Sequence, residues 1–143
     1  MANQIKTADL ENQLSDIKSF NDYIESNTDE FISDTKLSDY LKQLIEETGC
    51  KKAYIIKQTN LNRAYTYQIF EGKKMPSRDK LISIAIGMGL DFDRLQKLLK
   101  YAGLRPLYAR DLRDSVIIFS VKRGYSFNET NCALYEQGLK ILE

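Results

Sequence analysis

The segment Gly49–Leu90 constrains the fold most strongly, because residues that end helices divide it at short intervals. Asparagine and glycine accept a left-handed backbone at low cost. Such residues interrupt the apolar helical pattern at three positions, Asn60, Gly72 and Gly89. The pattern between them predicts three short helices, Lys51–Thr59, Arg63–Glu71 and Arg78–Met88. Asn62 and Ser77 precede the second and third helices, and both are residue types that favour an N-cap.

The first two of these helices are separated by a short turn, in which Leu61 is expected to fill the core between them. The first helix is expected to direct three apolar side chains inward, Ala53, Ile55 and Ile56. A basic loop that contains Lys73 and Lys74 follows the second helix. This order of elements is that of a helix-turn-helix unit, which offers its second helix to a DNA major groove.

Positive charge is concentrated in the same part of the chain, although the whole chain has a net charge of only +1. Residues 1–48 contain 4 Lys/Arg and 11 Asp/Glu, for a net charge of −7, whereas residues 49–143 contain 17 and 9, for +8. Within residues 49–80 the numbers are 8 and 2, for +6. A surface that faces phosphates needs such a concentration of cations. The alternative is a solvated surface rich in lysine that has no partner.

Two amphipathic helices are predicted on the N-terminal side of this segment. Over Asp9–Asn27, apolar residues recur at spacings of three and four, namely Leu10, Leu14, Ile17, Phe20 and Ile24. A second stripe, from about Lys36 to Glu47, consists of Leu37, Tyr40, Leu41, Leu44 and Ile45. The first helix is acidic, and we expect it to pack on the back of the domain or to pair with another subunit.

An internal repeat relates residues 78–107 to residues 113–142 with an offset of 35. Nine of the 30 aligned positions are identical, and the dipeptide Arg78-Asp79 recurs as Arg113-Asp114. Each copy is predicted to contain a helix, a short turn with glycine, a second helix and a Gly-Leu stop. The second helices begin at a cap, Asp91 in one copy and a Ser126–Glu129 capping box in the other. Two copies are too few for a solenoid, so we expect stacked helical hairpins that extend one core.

The sequence offers few groups for catalysis or metal binding. It has no histidine and only two cysteines, which are outside any CxxC pattern, so most zinc sites and Ser/Cys–His catalysis are excluded. No phosphate-binding glycine loop or nucleophile elbow is present. We therefore expect neither an enzyme nor a cofactor. Cys50 is interpreted as a small core residue or, alternatively, as a low-pKa thiol at a helix N-terminus. Three tyrosines are expected to close the core, Tyr40, Tyr54 and Tyr101.

No apolar segment has the length or flanks of a signal peptide or a membrane span, so we expect a cytoplasmic chain with free thiols and no membrane partner. No long segment alternates apolar and polar residues as a half-buried strand does, and the expected fold is all-α.

The stretch from about Leu37 to Leu99 resembles the Cro/repressor-type, or XRE-type, helix-turn-helix family of bacterial and phage regulators. The residues that carry the resemblance are Ile55-Ile56, Leu61, Ile69, Gly72-Lys73, Pro76-Ser77, Leu81-Ile82, Ile84-Ala85 and Gly89-Leu90. The resemblance implies a lambda-repressor-like core of about five short helices, of which the third reads DNA. On this basis residues 1–35 form an acidic N-terminal helical extension and residues 36–107 the DNA-binding domain. Residues 108–143 form an added C-terminal hairpin that repeats 78–107.

The same resemblance assigns candidate contacts to DNA, with the recognition helix at residues 62–71. The positions that correspond to base contacts are Asn62, Arg63, Ala64 and Gln68. Arg63 would pair with the O6 and N7 atoms of guanine, and Gln68 with the N6 and N7 atoms of adenine. The positions that correspond to phosphate contacts are Lys51, Lys52, Tyr65, Tyr67, Lys73, Lys74 and Arg78.

Three features differ from the family pattern. Ile56 stands where a small alanine usually lets two helices cross closely, and Thr66 stands where a buried Ile or Val is common. The recognition helix is also aromatic, with Tyr65, Tyr67 and Phe70. Either Thr66 gives up the volume that Ile56 takes, or the helix docks a protein and no longer reads DNA.

The sequence therefore predicts a bacterial, sequence-specific transcriptional regulator that binds double-stranded DNA as a homodimer. The alternative is an interaction adaptor on a helix-turn-helix scaffold, with a protein as its partner.

Overall fold

Residues 36–143 are described by a computed structural model, and within them the chain forms seven α-helices and no strand. The prediction of an all-α fold is confirmed for this part of the chain. The helices are α1 (Lys36–Thr48), α2 (Lys52–Thr59), α3 (Arg63–Phe70), α4 (Arg78–Met88), α5 (Phe92–Tyr101), α6 (Leu112–Lys122) and α7 (Phe127–Glu136). The helix predicted over Asp9–Asn27 lies outside the described residues. No helix in residues 36–143 is long and apolar enough to cross a membrane.

The helix ends follow the local sequence closely. Asn60 ends α2 in the left-handed region with φ 55°, and Gly89 ends α4 with φ 71°. The caps predicted for α3, α4 and α5 are present, because the side chains of Asn62, Ser77 and Asp91 each accept a hydrogen bond from a backbone N–H in the first turn. The predicted capping box of α7 is complete in both directions. Each of these helices therefore begins where a side chain satisfies an N–H that the helix itself leaves unpaired.

Helix α4 forms the centre of the core, since every residue from Leu81 to Met88 is buried. Helices α2, α5 and α7 pack against it, and the buried side chains of all seven helices form a single apolar cluster that extends from Leu37 in α1 to Leu142 after α7. The predicted stripe of α1 is largely confirmed, and its Tyr40 stacks on Tyr101 of α5 with ring centroids 4.7 Å apart. Burial raises the pKa of Tyr40 to about 12 and outweighs the opposing charge of Arg94.

Three expectations about α2 need correction. Ile55 is fully buried as predicted, but Ala53 is exposed and Ile56 is only partly buried. Tyr54 is 54% exposed, so it does not close the core. The helix has only eight residues and presents one buried position per turn, Ile55 and then Thr59. Its inward-facing stripe is therefore narrower than the run of apolar residues suggests.

Helices α2 and α4 cross in close contact at Gly87. A Cβ atom at this position would lie 2.8 Å from Cγ2 of Thr59 and 3.1 Å from Cγ2 of Ile55. The close approach of two helices therefore depends on a glycine in α4, and the bulk of the neighbouring Ile56 does not prevent it.

The two copies of the repeat face each other with approximate two-fold symmetry. The guanidinium of Arg78 donates to both carboxylate oxygens of Asp114, at 2.9 and 2.7 Å. Reciprocally, Arg113 donates to both carboxylate oxygens of Asp79, at 3.0 and 2.8 Å. When residue i contacts residue j in both directions, the interface is isologous, which is the property of a two-fold axis. The two hairpins share one apolar cluster, and the reciprocal ion pairs add that they are related by an approximate two-fold axis.

Further hydrogen bonds repeat with the same offset. Arg78 also donates to the carbonyl oxygens of Arg105 and Pro106, and Arg113 to those of Lys140 and Ile141. The side chain of Gln96 accepts from and donates to the backbone of Leu107, and Asn131 does the same with Leu142. Both copies thus hold the segment after their second helix by the same hydrogen bonds. These shared contacts support the repeat independently of its sequence identities.

Candidate nucleic-acid interface

Helix α3 has one buried face and one exposed end. Its buried residues are Thr66, Ile69 and Phe70. The residues at its start are exposed, namely Asn62, Arg63 and Ala64. Three of the four predicted base contacts therefore lie on the accessible first turn of α3. The fourth, Gln68, is partly buried one turn later.

The turn between α2 and α3 fixes the direction of this exposed end. Leu61 is buried, and Asn60 supplies the left-handed residue that the turn requires. The side-chain oxygen of Asn62 accepts from the backbone N–H of Tyr65 at 2.8 Å. Because this oxygen is already occupied, Asn62 would meet a base edge through its side-chain amide nitrogen.

The ring of Tyr67 holds two cations from different helices. The Nζ of Lys52 at the start of α2 lies 5.7 Å from the Tyr67 ring centroid, and the Cζ of Arg63 lies 5.3 Å from the same centroid. Lys52 is also 5.5 Å from the ring centroid of Phe70. A cation over an aromatic face is attracted by the ring quadrupole. Tyr67 therefore contacts one cation from α2 and one from α3, a role different from the phosphate hydrogen bond expected of it.

The loop between α3 and α4 is held in place at several points. The backbone N–H groups of Lys73 and Lys74 donate to the carbonyl oxygen of Gln68, at 2.9 and 3.3 Å. The hydroxyl of Tyr65 donates to the carbonyl oxygen of Met75 at 3.1 Å. Tyr65 thus supports the loop from within, and its hydroxyl is already engaged.

Both lysine side chains of this loop are exposed. Lys73 forms an ion pair with Glu71 at 3.0 Å, but the two side chains are 71% and 47% exposed. Such exposed pairs are weak and exchange readily. Lys73 and Lys74 are therefore accessible to an anion from solvent, and so is Lys51, which is exposed directly before α2.

Arg78 differs from the other predicted phosphate contacts. Its guanidinium is only 17% exposed and forms hydrogen bonds with Asp114, Arg105 and Pro106. These partners lie within the chain and engage every nitrogen of the guanidinium. We therefore leave Arg78 out of the candidate surface, which consists of Lys51, Lys52, Asn62, Arg63, Ala64, Tyr67, Gln68, Lys73 and Lys74.

The two cysteines are the remaining candidate groups. Burial raises the pKa of the Cys50 thiol, which is the opposite of an activated thiolate. Cys132 is exposed, and both cysteines are free. Residues 36–143 contain no group of three or more acidic, cysteine or histidine side chains placed to hold a metal ion.

Comparison of the chain with protein-family models, with curated proteins and with solved structures finds no match.

Proposed function

We propose that this protein is a bacterial, cytoplasmic regulator of transcription that binds double-stranded DNA in a sequence-specific manner through α3. The observation that supports this most directly is the arrangement around Tyr67, whose ring contacts both Lys52 of α2 and Arg63, the exposed first residue of α3. Arg63 can form two hydrogen bonds with a guanine, while Lys52 neutralises a nearby phosphate. Lys73 and Lys74 then contact the phosphate backbone beside the groove.

The packing of the aromatic residues supports DNA over a protein partner. Phe70 is fully buried, Tyr65 holds the following loop, and Tyr67 carries two cations. The aromatic composition of α3 thus serves the core and the placement of charge, and it does not produce an exposed aromatic surface. Thr66 is also buried, and its hydroxyl donates to the carbonyl oxygen of Asn62, so it fits the core without a larger side chain.

The proposed regulator acts as a homodimer. A single recognition helix contacts only a few base pairs, which is too little for useful specificity in a genome. Two copies of α3 related by a molecular two-fold axis would read two half-sites about one helical turn apart.

Replacing Arg63 by alanine is expected to weaken binding to the preferred site by about 1–3 kcal/mol and to relax the preference at one base position. The preferred site is first selected from random duplexes with the unmodified chain, and binding is then measured by fluorescence anisotropy. Arg110→Ala is the matched control, because Arg110 is exposed in the segment between α5 and α6. If Arg63→Ala keeps both affinity and base preference, α3 does not read DNA in this register.

Replacing Lys73 and Lys74 together by alanine is expected to weaken binding to all duplexes equally. The slope of log K against log salt should flatten by roughly one unit for each phosphate that is no longer neutralised, so by about two in all. Lys100→Ala with Lys140→Ala removes the same charge from exposed positions outside the candidate surface. An equal change of slope in this control would show that net charge, and not the loop, determines the effect.

A protein-binding adaptor remains the second candidate, and exposed apolar side chains around α6 favour it. Tyr108, Leu112 and Phe119 are 56%, 62% and 47% exposed. Large exposed apolar groups on one helix face often mark a protein contact, and Leu112 and Phe119 are seven positions apart, on the same side of α6. The two functions respond differently to salt, because DNA binding through several phosphates weakens steeply whereas an apolar protein interface changes little.

A further inference from the structure

Helix α4 begins with a charge that is unfavourable at that end of a helix. The N-terminus of a helix carries a partial positive charge, so a cation there is destabilising unless an anion neutralises it. Arg78 is the first residue of α4, directly after the cap Ser77. Its guanidinium is paired with Asp114, which is 1% exposed and lies in the second copy of the repeat. The first turn of α4 therefore depends on a carboxylate that is 36 positions away in the sequence.

The same first turn anchors the end of the basic loop. Ser77 accepts from the backbone N–H of Lys80 at 3.2 Å, and its carbonyl oxygen accepts from Leu81 at 3.0 Å. The preceding Pro76 is buried. At its other end the loop is fixed to α3 by the bonds from Lys73 and Lys74 to Gln68. The loop is thus anchored at both ends, and Asp114 stabilises the end at α4.

We infer that Asp114 is a positioning residue for the phosphate-contacting loop, so that the C-terminal hairpin influences DNA affinity without touching DNA. This inference rests on the proposed function. When Asp114 neutralises Arg78, the first turn of α4 stays closed and Lys73 and Lys74 are presented in one arrangement. When the carboxylate is removed, the cation at the helix start is left unneutralised, the first turn opens more often, and both lysines lose their placement.

The repeat supplies a matched control for this idea. Asp79 neutralises Arg113, the second residue of α6, and its two carboxylate oxygens likewise accept one hydrogen bond each from the guanidinium. Asp79 is also the second residue of α4, where an acid favours the helix start, so its loss has a small effect on that turn as well. Loss of Asp114 differs because it leaves a largely buried guanidinium unpaired at the start of α4, so the larger effect on the basic loop is expected from Asp114.

The first experiment compares Asp114→Asn with Asp79→Asn in full-length protein, using the duplex selected with the unmodified chain. For Asp114→Asn we expect the salt slope to flatten by up to about two units, with unchanged base preference at the Arg63 position. For Asp79→Asn we expect a clearly smaller change in slope, because Asp79 contributes only its own charge to the start of α4. An unchanged slope for Asp114→Asn would overturn the inference. A steeper slope would also overturn it, because it would mean that released Arg78 contacts a phosphate itself.

The second experiment needs no DNA and keeps the inference separable from the proposed function. Amide hydrogen exchange of Lys80 and Leu81 is measured by NMR in both variants below their unfolding transitions. We expect exchange about tenfold or more faster in Asp114→Asn than in Asp79→Asn, because local opening of a helix turn raises exchange there. If exchange rises and no duplex binds, the support of the loop holds and the proposed function fails. If exchange is unchanged, the inference fails whether or not DNA binds.

If Asp114→Asn does not fold, Asp114→Glu replaces it in both experiments. Glutamate keeps the charge but displaces it by one methylene, so a smaller change in the same direction is expected. Equal slopes and equal exchange in Asp114→Glu and the unmodified chain would then refute the positioning role.

Discussion

Replacing Asp114 by alanine is expected to lower the free energy of unfolding by about 3–5 kcal/mol. The carboxylate accepts two hydrogen bonds from Arg78 and one from the backbone N–H of Tyr108 at 3.0 Å. Its removal leaves a largely buried guanidinium without an anion and a backbone donor without an acceptor. Urea denaturation followed by circular dichroism measures the decrease.

The equivalent ion pair, Arg113–Asp79, provides a comparison for this loss of stability. Arg113 and Asp79 are both 22% exposed, so water replaces part of the interaction when one partner is removed. Asp79→Ala is therefore expected to cost less than Asp114→Ala. Equal decreases in the two variants would show that burial does not distinguish the pairs.

The acid dependence of stability gives a further test of the Asp114 site. Burial acts to raise the pKa of Asp114, but hydrogen bonds from Arg78 and Tyr108, with the charges of Arg78 and Arg105, hold it below its usual value. A carboxyl whose pKa is depressed by folding stabilises the native state above its unfolded pKa of about 3.9 and loses that contribution as the pH falls through the folded value. Stability of the unmodified chain should thus fall more steeply below about pH 4 than that of Asp114→Asn. If the two proteins lose stability equally as the pH falls, the pKa of Asp114 is not lowered by folding.

Replacing Gly87 by alanine is expected to destabilise the protein by about 1–3 kcal/mol, although alanine is the better helix former by about 1 kcal/mol. The added methyl would lie 2.8 Å from Cγ2 of Thr59, so α2 and α4 must separate or Thr59 must change its rotamer. The hydroxyl of Thr59 donates to the carbonyl oxygen of Ile55 at 2.7 Å, which disfavours a rotamer change. Thermal and urea denaturation measure the effect.

Thr59→Ser identifies the atom responsible. Serine keeps the hydroxyl but lacks Cγ2, so the Gly87→Ala, Thr59→Ser double variant should recover part of the stability when each change is compared with its single variant. Since Ile55 still lies 3.1 Å from the added methyl, recovery should be incomplete. A stabilised Gly87→Ala protein would mean that the two helices adjust at no cost.

The helices are predictable because their ends depend on local chemistry. Asn60, Asn62 and Ser77 act through the backbone within a few residues, and the structure places the ends of α2, α3 and α4 within one residue of the predicted positions. The repeat is visible in the sequence for the same reason, because its glycines and caps recur at a fixed offset. Periodicity is less informative for α2, where eight residues are too few to define one inward face.

The partners of charged groups are not predictable from the sequence, because they depend on how distant segments meet. Arg78 follows a basic loop and is therefore expected to bind phosphate, but its partner Asp114 comes from the other copy of the repeat. The role of Tyr67 has one local signal, since Arg63 lies four residues before it on the same helix. The approach of Lys52 from α2 has no such signal.

The reciprocal pairing of the two copies also determines whether a further repeat could be added in the same way. In an open repeat array every new unit meets an unused surface of the last one, and the array can be lengthened without end. Here the arginine and the aspartate of each dipeptide, at 78–79 and 113–114, are already hydrogen-bonded to those of the other. A third copy added after residue 142 could therefore not form the same ion pairs with either. The two Arg-Asp dipeptides therefore pair with each other across a two-fold interface and leave no equivalent group free for a further copy.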